Sequence, residues 1–379
     1  MTESLSAIPS GVRYYFGDDA HLRRAIEHTA MSIFKGWSYE EITPPTVDYY
    51  SLFERGMGAM AAQKAFRLVD TDGKLLALRP DVTSSIARAA ATLMSRRPRP
   101  LRFSYAAQVF HLQAESHAEW RRESTQIGCE LIGQNSLAAD MEILAVAAEV
   151  LSSLGLAGNF TITINDLGIF SGIVETMGVD PATREELRLL VNSHNASDLN
   201  RRLTECALSE DSKTLVGLVQ LSGKTEIFAK ARQLMTNQQS AAALERLEAL
   251  WKIIESLNLS THFALDLGDV SRLDYYTGLV FKIYVAGLGT RLGGGGRYDL
   301  LTANFGKPEP AVGFVLDLDG LTEAMRATRT ADFGVKNEPE ASVLSHEEPI
   351  ALFLEALQQR ASGNRVLLNS LVEVKSWPS

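Results

Sequence analysis

Strand-length apolar runs between long helical patterns constrain this fold more than any other feature. Residues 101–112 and 124–133 are two such runs with a polar stretch between them, and strand patterns resume at 278–285 and 311–316, on either side of a glycine-rich segment. Groups of strands followed by groups of helices are typical of α+β proteins, whereas a regular strand–helix alternation predicts a parallel α/β sheet. The sequence therefore predicts an α+β fold with an antiparallel sheet that helices flank.

Periodicity and turn residues predict the remaining elements. A hairpin is predicted over residues 64–78, with Asp70-Thr71-Asp72-Gly73 at its turn. Further strands are predicted at 160–166 and 262–267, an extended segment at 365–375, and helices at 19–36, 81–95, 137–154, 318–328 and 350–360. Residues 168–256 are helical in pattern and rich in Leu, Glu and Arg, which indicates an inserted or appended helical block.

Composition and charge exclude several classes of protein. The chain has 379 residues, of which 45% are hydrophobic and 22% charged, as in folded proteins of two or three domains. A formal net charge of -9 argues against general binding to nucleic acids or anionic membranes. The two cysteines, Cys129 and Cys206, support neither a disulfide framework nor a zinc site. Because we find no membrane-spanning run and no secretory signal, we expect a cytoplasmic protein. We also expect neither a bound metal nor a cofactor.

The run from Gly293 to Arg297 contains four consecutive glycines. It lacks the Gly-Lys-Ser/Thr ending of a phosphate loop and the spacing of a dinucleotide-binding fingerprint. Two interpretations stay open: a tight connection between strands, and a loop whose backbone approaches a ligand.

Two more segments place polar side chains on predicted strands. Tyr275 and Tyr276 would point to opposite faces of a strand, so that one lies in the core and the other offers a hydroxyl to a pocket. Gln126 and Glu130 would share one face, where an amide and a carboxylate need partners if they are buried. Such a pair suits an ammonium or an imidazole N–H, and a sheet face open to solvent explains it equally well.

Taken in order, these segments resemble the catalytic core of the histidyl-tRNA synthetases, which are class II aminoacyl-tRNA synthetases. The resemblance covers roughly residues 8–325. The matching segments are Gly36-Trp37 through Thr43-Pro44 to Leu52-Phe53, Leu78-Arg79-Pro80-Asp81-Val82-Thr83, Val109-Phe110-His111 through Glu130, Asp274-Tyr275-Tyr276-Thr277-Gly278, Gly294-Gly295-Gly296-Arg297-Tyr298-Asp299 and Ala311-Val312-Gly313-Phe314. It implies a class II synthetase-like core over residues 1–329, with a helical insertion at about 168–256. Residues 330–379 would be a polar linker and a short C-terminal segment, too short for the family's anticodon-binding domain.

The positions that hold ATP in the synthetases depart from the family pattern. His111, Ser271 and Gly320 stand where the family has three arginines, two of which contact the phosphates of ATP. Asp317 adds a carboxylate near the last of them. Removing one such group from an active site typically lowers the rate by about 10²–10³. The resemblance therefore implies that this chain does not activate an amino acid.

A synthetase-like core without those arginines resembles a family of paralogues, the regulatory subunits of ATP phosphoribosyltransferase. This implies a non-catalytic subunit, required for the first step of histidine biosynthesis and for its feedback inhibition by histidine. The implied partners are the short-form catalytic subunit, in a hetero-octamer, and a second copy of this chain, in a homodimer; neither tRNA nor a membrane is expected. Two alternatives are a divergent histidine–tRNA ligase and a paralogue with another role.

The amino-acid side of the synthetase pocket is partly retained. The resemblance implies a histidine pocket formed by Asp81, Thr83, Arg122, Gln126, Glu130, Tyr275 and Tyr276. In the family, the acids bind the α-amino group and a tyrosine helps to hold the imidazole. Because His111 replaces the arginine at the carboxylate end, two histidine sites stay open: this pocket and the interface with the catalytic subunit.

Overall fold

The computed structural model describes residues 7–112, 121–206, 208–235, 237–270, 275–328, 342–345 and 349–368. The chain divides into two units, Met1–Phe333 and Gly334–Ser379. The first unit contains a nine-stranded sheet, a smaller three-stranded sheet and most of the helices, whereas the second contains a two-stranded parallel sheet and one helix. No helix in the described part of the chain is both long and apolar enough to cross a bilayer.

The strands range from two to ten residues in length. In chain order they are β1 (Glu40–Glu41), β2 (Val47–Tyr49), β3 (Arg67–Val69), β4 (Leu75–Leu78), β5 (Leu101–Phe110), β6 (Glu123–Ile132), β7 (Phe160–Asp166), β8 (Ser222–Gly223), β9 (Phe263–Asp266), β10 (Leu279–Val285), β11 (Arg291–Arg297), β12 (Ala311–Asp317), β13 (Ser342–Leu344) and β14 (Val366–Leu368). The predicted hairpin β3–β4 and the predicted pair β5–β6 are both confirmed as antiparallel.

The helices lie close to their predicted positions. They are α1 (Asp18–Gly36), α2 (Tyr50–Met57), α3 (Ala59–Ala62), α4 (Thr83–Ala91), α5 (Leu137–Leu151), α6 (Leu167–Thr176), α7 (Pro181–Asn192), α8 (Ala196–Glu205), α9 (Ser209–Val219), α10 (Ile227–Leu234), α11 (Gln238–Ser256), α12 (Leu318–Ala327) and α13 (Pro349–Ala361), with a π-helical turn at Ser152–Leu156 and a 3₁₀ turn at Thr302–Phe305. α4 is shorter than predicted because the chain enters a series of turns after Ala91. Helices α6 to α11 fill the stretch between β7 and β9, where a helical block was expected.

The large sheet has the strand order β1-β5-β6-β12-β11-β10-β7-β9-β8. From β5 to β7 every neighbouring pair is antiparallel, which confirms the predicted sheet. β1 pairs with β5 and β9 pairs with β7, both in parallel, so the complete sheet is mixed.

Side chains of the central strands alternate between the two faces of the large sheet. We call the face that packs against helices the core face, and the opposite face, which carries Glu130, the site face. On β6, Ile127, Cys129 and Leu131 have no exposed side-chain area and belong to a core that also includes residues of α1 and α5. Gln126 and Glu130 point to the opposite face, because successive side chains of a strand alternate. Their predicted common face is therefore confirmed.

The glycine run forms a strand, and neither predicted interpretation of it is correct. Gly293–Gly296 lie within β11, which is paired on both sides, with β10 and β12. A β-carbon at Gly295 would overlap the carbonyl oxygen of Gly313, and one at Gly296 would overlap that of Leu279. The glycines are required by this close approach of neighbouring strands, which the sequence of one strand alone does not reveal.

Tyr275 and Tyr276 precede β10 and do not lie on a strand, so the prediction that they point to opposite faces is wrong. Their rings contact each other, with centroids 4.7 Å apart. The strand begins only at Leu279, because Thr277 and Gly278 lead the chain into the sheet. The Thr277 amide donates to the Arg297 carbonyl, and the Gly278 carbonyl accepts from the Leu167 amide.

Part of the predicted linker is a strand. β13 (Ser342–Leu344) lies within the polar segment 330–349 and pairs in parallel with β14. Three residues are too few to show a strand period, so the polar surroundings dominated the prediction. The predicted extended segment 365–375 is a strand only from Val366 to Leu368, and residues 369–375 lie outside the described residues.

Candidate functional site

The site face of the sheet is ordered in rows of directly opposed residues. The first row contains Phe103, Glu130, Gly313, Gly296 and Val280; the second contains Tyr105, Gly128, Val315, Gly294 and Lys282. Residues that are directly opposite on neighbouring strands share a face and are about 5 Å apart. The two rows are separated by about 7 Å, the rise of two strand residues.

Glu130 is the buried acid at the centre of the first row, and its side chain is surrounded by hydroxyl groups. The residue is 1% exposed. Its Oε1 accepts from Thr83 Oγ1 at 2.7 Å and from the Tyr105 hydroxyl at 3.3 Å, and its Oε2 accepts from the Tyr298 hydroxyl at 2.5 Å. We call these residues, with Tyr275 and Tyr276, the Glu130 cluster.

Burial raises the pKa of Glu130 to about 8, although the hydrogen bonds from Tyr298 and Thr83 oppose the shift. The negative charge of Asp81 adds to the increase. Near neutral pH the carboxyl group is therefore largely protonated, and a positive charge beside it would favour its ionised form.

Aromatic rings enclose the Glu130 cluster. Tyr275 is buried and meets the Tyr298 ring edge-on at 5.9 Å between centroids. The Tyr276 ring lies over Gly296, where a β-carbon would be 2.9 Å from a ring atom. Burial raises the pKa of both Tyr275 and Tyr276, so their hydroxyls stay protonated and can donate hydrogen bonds.

Helix α4 brings two predicted residues to this cluster. Thr83, its first residue, donates to Glu130. Asp81, just before the helix, accepts from the Ser84 amide at 2.9 Å and from the Ser84 hydroxyl at 2.7 Å, which satisfies a donor at the helix start. The structure thus brings Asp81, Thr83, Glu130 and the tyrosine pair into one region.

Arg122, Gln126 and His111 lie at the other end of the same strand pair. The His111 amide donates to the Arg122 carbonyl at 2.9 Å, just beyond the last pair of the β5–β6 ladder. Gln126 lies opposite Asp317, four residues and about 13 Å along β6 from Glu130. Gln126 and Arg122 are therefore not part of the Glu130 cluster.

The region around Gly320 contains paired carboxylates. Asp317 caps α12 by accepting from the amides of Asp319 and Gly320, at 2.7 and 3.0 Å. Its carboxylate also pairs with Arg121 at 3.4 Å. Asp319 is 4% exposed and accepts from Tyr15 and Arg23.

The side chains around Asp319 form a compact network, which we call the Asp319 cluster (Tyr15, Arg23, Arg121, Asp317 and Asp319). The Arg23 guanidinium stacks on the Tyr15 ring, 3.8 Å from its centroid. Burial raises the pKa of Tyr15 to about 12, and the hydrogen bond to Asp319 contributes. Arg23 and Arg121 are thus occupied by carboxylates within the protein.

Sequence reasoning did not identify Tyr105, Tyr298, Tyr15 or Arg23. Tyr298 lies in a segment that matches the synthetases, and this was an available signal. Tyr105 reaches Glu130 through the register of β5 and β6, which the sequence does not specify. Ser271 lies outside the described residues, and the described residues contain no group of three His, Cys, Asp or Glu side chains arranged for a metal ion.

Comparison with known proteins gives the family. The family model described as histidyl-tRNA synthetase matches residues 11–321. A protein of Bacillus pumilus named "ATP phosphoribosyltransferase regulatory subunit" is 33% identical over 374 residues, which cover 97% of this chain and 92% of that protein. The chain belongs to the family of ATP phosphoribosyltransferase regulatory subunits. This family and its synthetase-like core were expected from the sequence, and both are confirmed.

Solved structures agree with membership of the regulatory-subunit family. A protein from Bacillus halodurans, described as an ATP phosphoribosyltransferase regulatory subunit/histidyl-tRNA synthetase, superposes with a TM-score of 0.84 at 28% identity and covers 99% of this chain and 95% of its own. Histidyl-tRNA synthetase from Nostoc sp. has a TM-score of 0.76 at 19% identity, with 99% and 88% covered. The second likeness shows the fold alone, which regulatory subunits and synthetases therefore share.

Proposed function

We propose that this chain is a non-catalytic regulatory subunit of ATP phosphoribosyltransferase, which acts in the first step of histidine biosynthesis and binds histidine as a feedback effector. The family supports the regulatory role, since the relative from Bacillus pumilus that carries this name matches 97% of the chain. The proposed complex contains the short-form catalytic subunit and at least a homodimer of this chain.

The Asp319 cluster is the observation that carries the non-catalytic part of the proposal. Adenylation requires cations that face the phosphates of ATP. Here Arg23 and Arg121 are paired with carboxylates, and Gly320 offers no side chain. A carboxylate about 4 Å from a phosphate charge would add roughly 4 kcal/mol of repulsion at an effective dielectric of 20.

The Glu130 cluster supports a histidine site within this chain. An ammonium or a protonated ring that approaches Glu130 would favour its ionised form. The surrounding tyrosine and threonine hydroxyls can accept or donate, so they can adapt to an imidazole N–H or to its unprotonated nitrogen. These properties favour the pocket over the subunit interface as the effector site.

Activation is tested by mixing this chain with a short-form catalytic subunit and measuring the ATP phosphoribosyltransferase reaction. We expect the rate to rise at least about tenfold over the catalytic subunit alone. Unchanged activity in a mixture that co-elutes as a complex would reject the regulatory role. In parallel, histidine-dependent exchange of pyrophosphate into ATP should be absent, and a clear exchange signal would support the ligase alternative.

The effector site is tested with Thr83→Val, which removes the 2.7 Å hydrogen bond to Glu130 and conserves shape. We expect this variant to activate the catalytic subunit and to need about tenfold more histidine for inhibition. Thr92→Val is the matched control, because Thr92 is exposed and bonds only the carbonyl of Arg88. Normal inhibition of the Thr83 variant would place the effector elsewhere without affecting the regulatory role.

A further inference from the structure

Helix α13 of the second unit has apolar residues on two sides. Leu352 and Ala356 are buried and form, with Leu344 and Val366 of the two strands, the small core of this unit. The residues of a second set, which we call the α13 stripe, are between 55% and 73% exposed: Ile350, Phe353, Leu354 and Leu357. Helix α13 therefore places more large apolar side chains in solvent than in the core.

The α13 stripe lies on the side of the helix that faces away from the core. Its members follow the spacing i, i+3, i+4, i+7, so they form one continuous band along the helix. With a turn of about 100° per residue, the centre of this band is rotated about 130° from the midpoint of Leu352 and Ala356. A surface helix of a globular protein normally carries polar residues there. An exposed apolar band of this kind indicates a surface that another molecule covers.

The spacing of the α13 stripe is symmetric about the midpoint between Phe353 and Leu354. Read from either end of the helix, the apolar positions come in the same order, so that Ile350 corresponds to Leu357 and Phe353 corresponds to Leu354. If two α13 helices packed antiparallel about a two-fold axis at this midpoint, each position would meet its counterpart. The stripe is therefore complementary to a second copy of itself.

Symmetry and size favour a second copy of this chain as the occupant of the α13 stripe. A two-fold interface requires one surface to be complementary to itself, and the stripe meets this requirement. A different protein would require no such symmetry. Two stripes packed together would bury roughly 1,000 Å² in total, which is at the lower end for a specific interface. Antiparallel packing also places opposite ends of the two helix dipoles together.

We propose that the α13 stripe is an interface between two copies of this chain, which pack their α13 helices antiparallel about a two-fold axis. This inference rests on the proposed homodimer and deepens it, because it assigns a surface of the second unit through which two copies meet. The contact would also enlarge the small core of that unit, so association would stabilise its fold.

A disulfide cross-link in the full chain tests this contact. Leu354→Cys is next to the two-fold axis, where the two copies of this position are separated by about 1.5 Å along the helices. Gln358→Cys is the matched control, because Gln358 is also exposed and its two copies would be about 13 Å apart, too far for a disulfide. Both variants also carry Cys206→Ser, since Cys206 is a partly exposed free cysteine.

Mild oxidation followed by a non-reducing gel measures the cross-link. We expect the Leu354 variant to form a covalent dimer at least about tenfold faster than the Gln358 variant, because a disulfide requires a short distance between the two β-carbons. Parallel packing of the helices would bring both positions against their own copies, so equal rates would overturn the antiparallel contact.

Charges at the outer positions of the stripe test its register. Adding Leu357→Glu to Leu354→Cys should slow the cross-link at least about fivefold, because each carboxylate would lie against an apolar side chain. Further addition of Ile350→Lys should restore most of the rate, since opposite charges then meet across the two-fold axis. Ile350→Glu in its place should restore none. These positions are exposed, so the substitutions are not expected to unfold the helix.

Absence of the Leu354 cross-link, or equal effects of Ile350→Lys and Ile350→Glu, would overturn the inference. Loss of the cross-link on addition of the short-form catalytic subunit would assign the stripe to that partner, and would overturn it as well. Light scattering at micromolar concentration measures the homodimer separately. A dimeric mass without the cross-link would reject this interface alone, whereas a monomeric mass would reject the homodimer too.

Discussion

At the scale of single residues, the Glu130 cluster is a buried acid held by neutral donors. Three hydroxyls satisfy its oxygens, and none of these contacts supplies a compensating positive charge. Hydrogen bonds alone offset part of the cost of burying a carboxylate, so the proton stays on the acid. A cationic ligand would displace that proton, which ties binding to pH.

Replacing Glu130 with Gln should reduce the pH dependence of stability. With a folded pKa of about 8, the native state keeps a proton that the unfolded chain loses from about pH 4.5 upward. The free energy of unfolding therefore decreases as pH rises through this window, by up to about 1.4 kcal/mol per pH unit. Glutamine does not titrate and can still bond the hydroxyls.

Thermal unfolding at pH 5.5, 7 and 8.5 measures this effect. The midpoint of Glu130→Gln should fall less than that of the unsubstituted chain. Glu245→Gln, an exposed substitution on α11, should follow the unsubstituted chain. Parallel curves for all three proteins would contradict a protonated Glu130.

Which side chains meet at the site was predictable where a local signal or a matching segment existed. Glu130 and Gln126 were placed on a common face by strand alternation alone. The sequence also shows that they lie four residues apart, and on an extended strand this separation is too long for the two side chains to meet. Tyr105 and Arg23 depend on pairing register and on contacts between distant segments, which no local pattern encodes.

At the scale of elements, β11 shows how a strand is built from residues with low strand propensity. Four glycines in succession are unfavourable in a strand in isolation. They are accommodated because both neighbouring strands approach too closely for β-carbons. Glycine has no side chain, so propensity predicts a turn for this run. The lack of a side chain is also what allows the neighbouring strands to approach β11 so closely.

Gly295→Ala should destabilise the protein by at least about 2 kcal/mol, because its β-carbon would overlap the Gly313 carbonyl and lie 2.7 Å from Phe314 Cα. Urea unfolding followed by circular dichroism measures the change. Gly289→Ala is the matched control: nothing lies within 4 Å of its β-carbon, so a change within about 0.5 kcal/mol is expected. Equal stability of the two variants would contradict the close packing of β11.

At the scale of the whole molecule, the two units differ greatly in how much core they contain. The first unit contains three clusters of buried apolar residues. In the second, the buried cluster among the described residues consists of Leu344, Leu352 and Ala356. A core of this size contributes little free energy, so stability is expected to reside in the first unit.

A variant that ends at Phe333 should therefore unfold within about 3 °C of the complete chain, as a domain with its own core does. A variant that ends at Gly306 is the control, since it removes the central strand β12 and should not fold. Differential scanning calorimetry distinguishes the two. A loss of cooperative unfolding in the longer variant would show that the first unit is not independent.

The surroundings of Gly320 have a consequence for any attempt to build an ATP site by substitution. A β-carbon at Gly320 would be 2.9 Å from Leu292 Cδ1, the end of a flexible side chain that can move aside, and 4.0 Å from Asp317 Cγ. An arginine at this position would therefore lie beside the Asp317 carboxylate, which would compete with a phosphate for its guanidinium. Gly320→Arg alone would also leave His111 and Ser271 in place of the other two arginines.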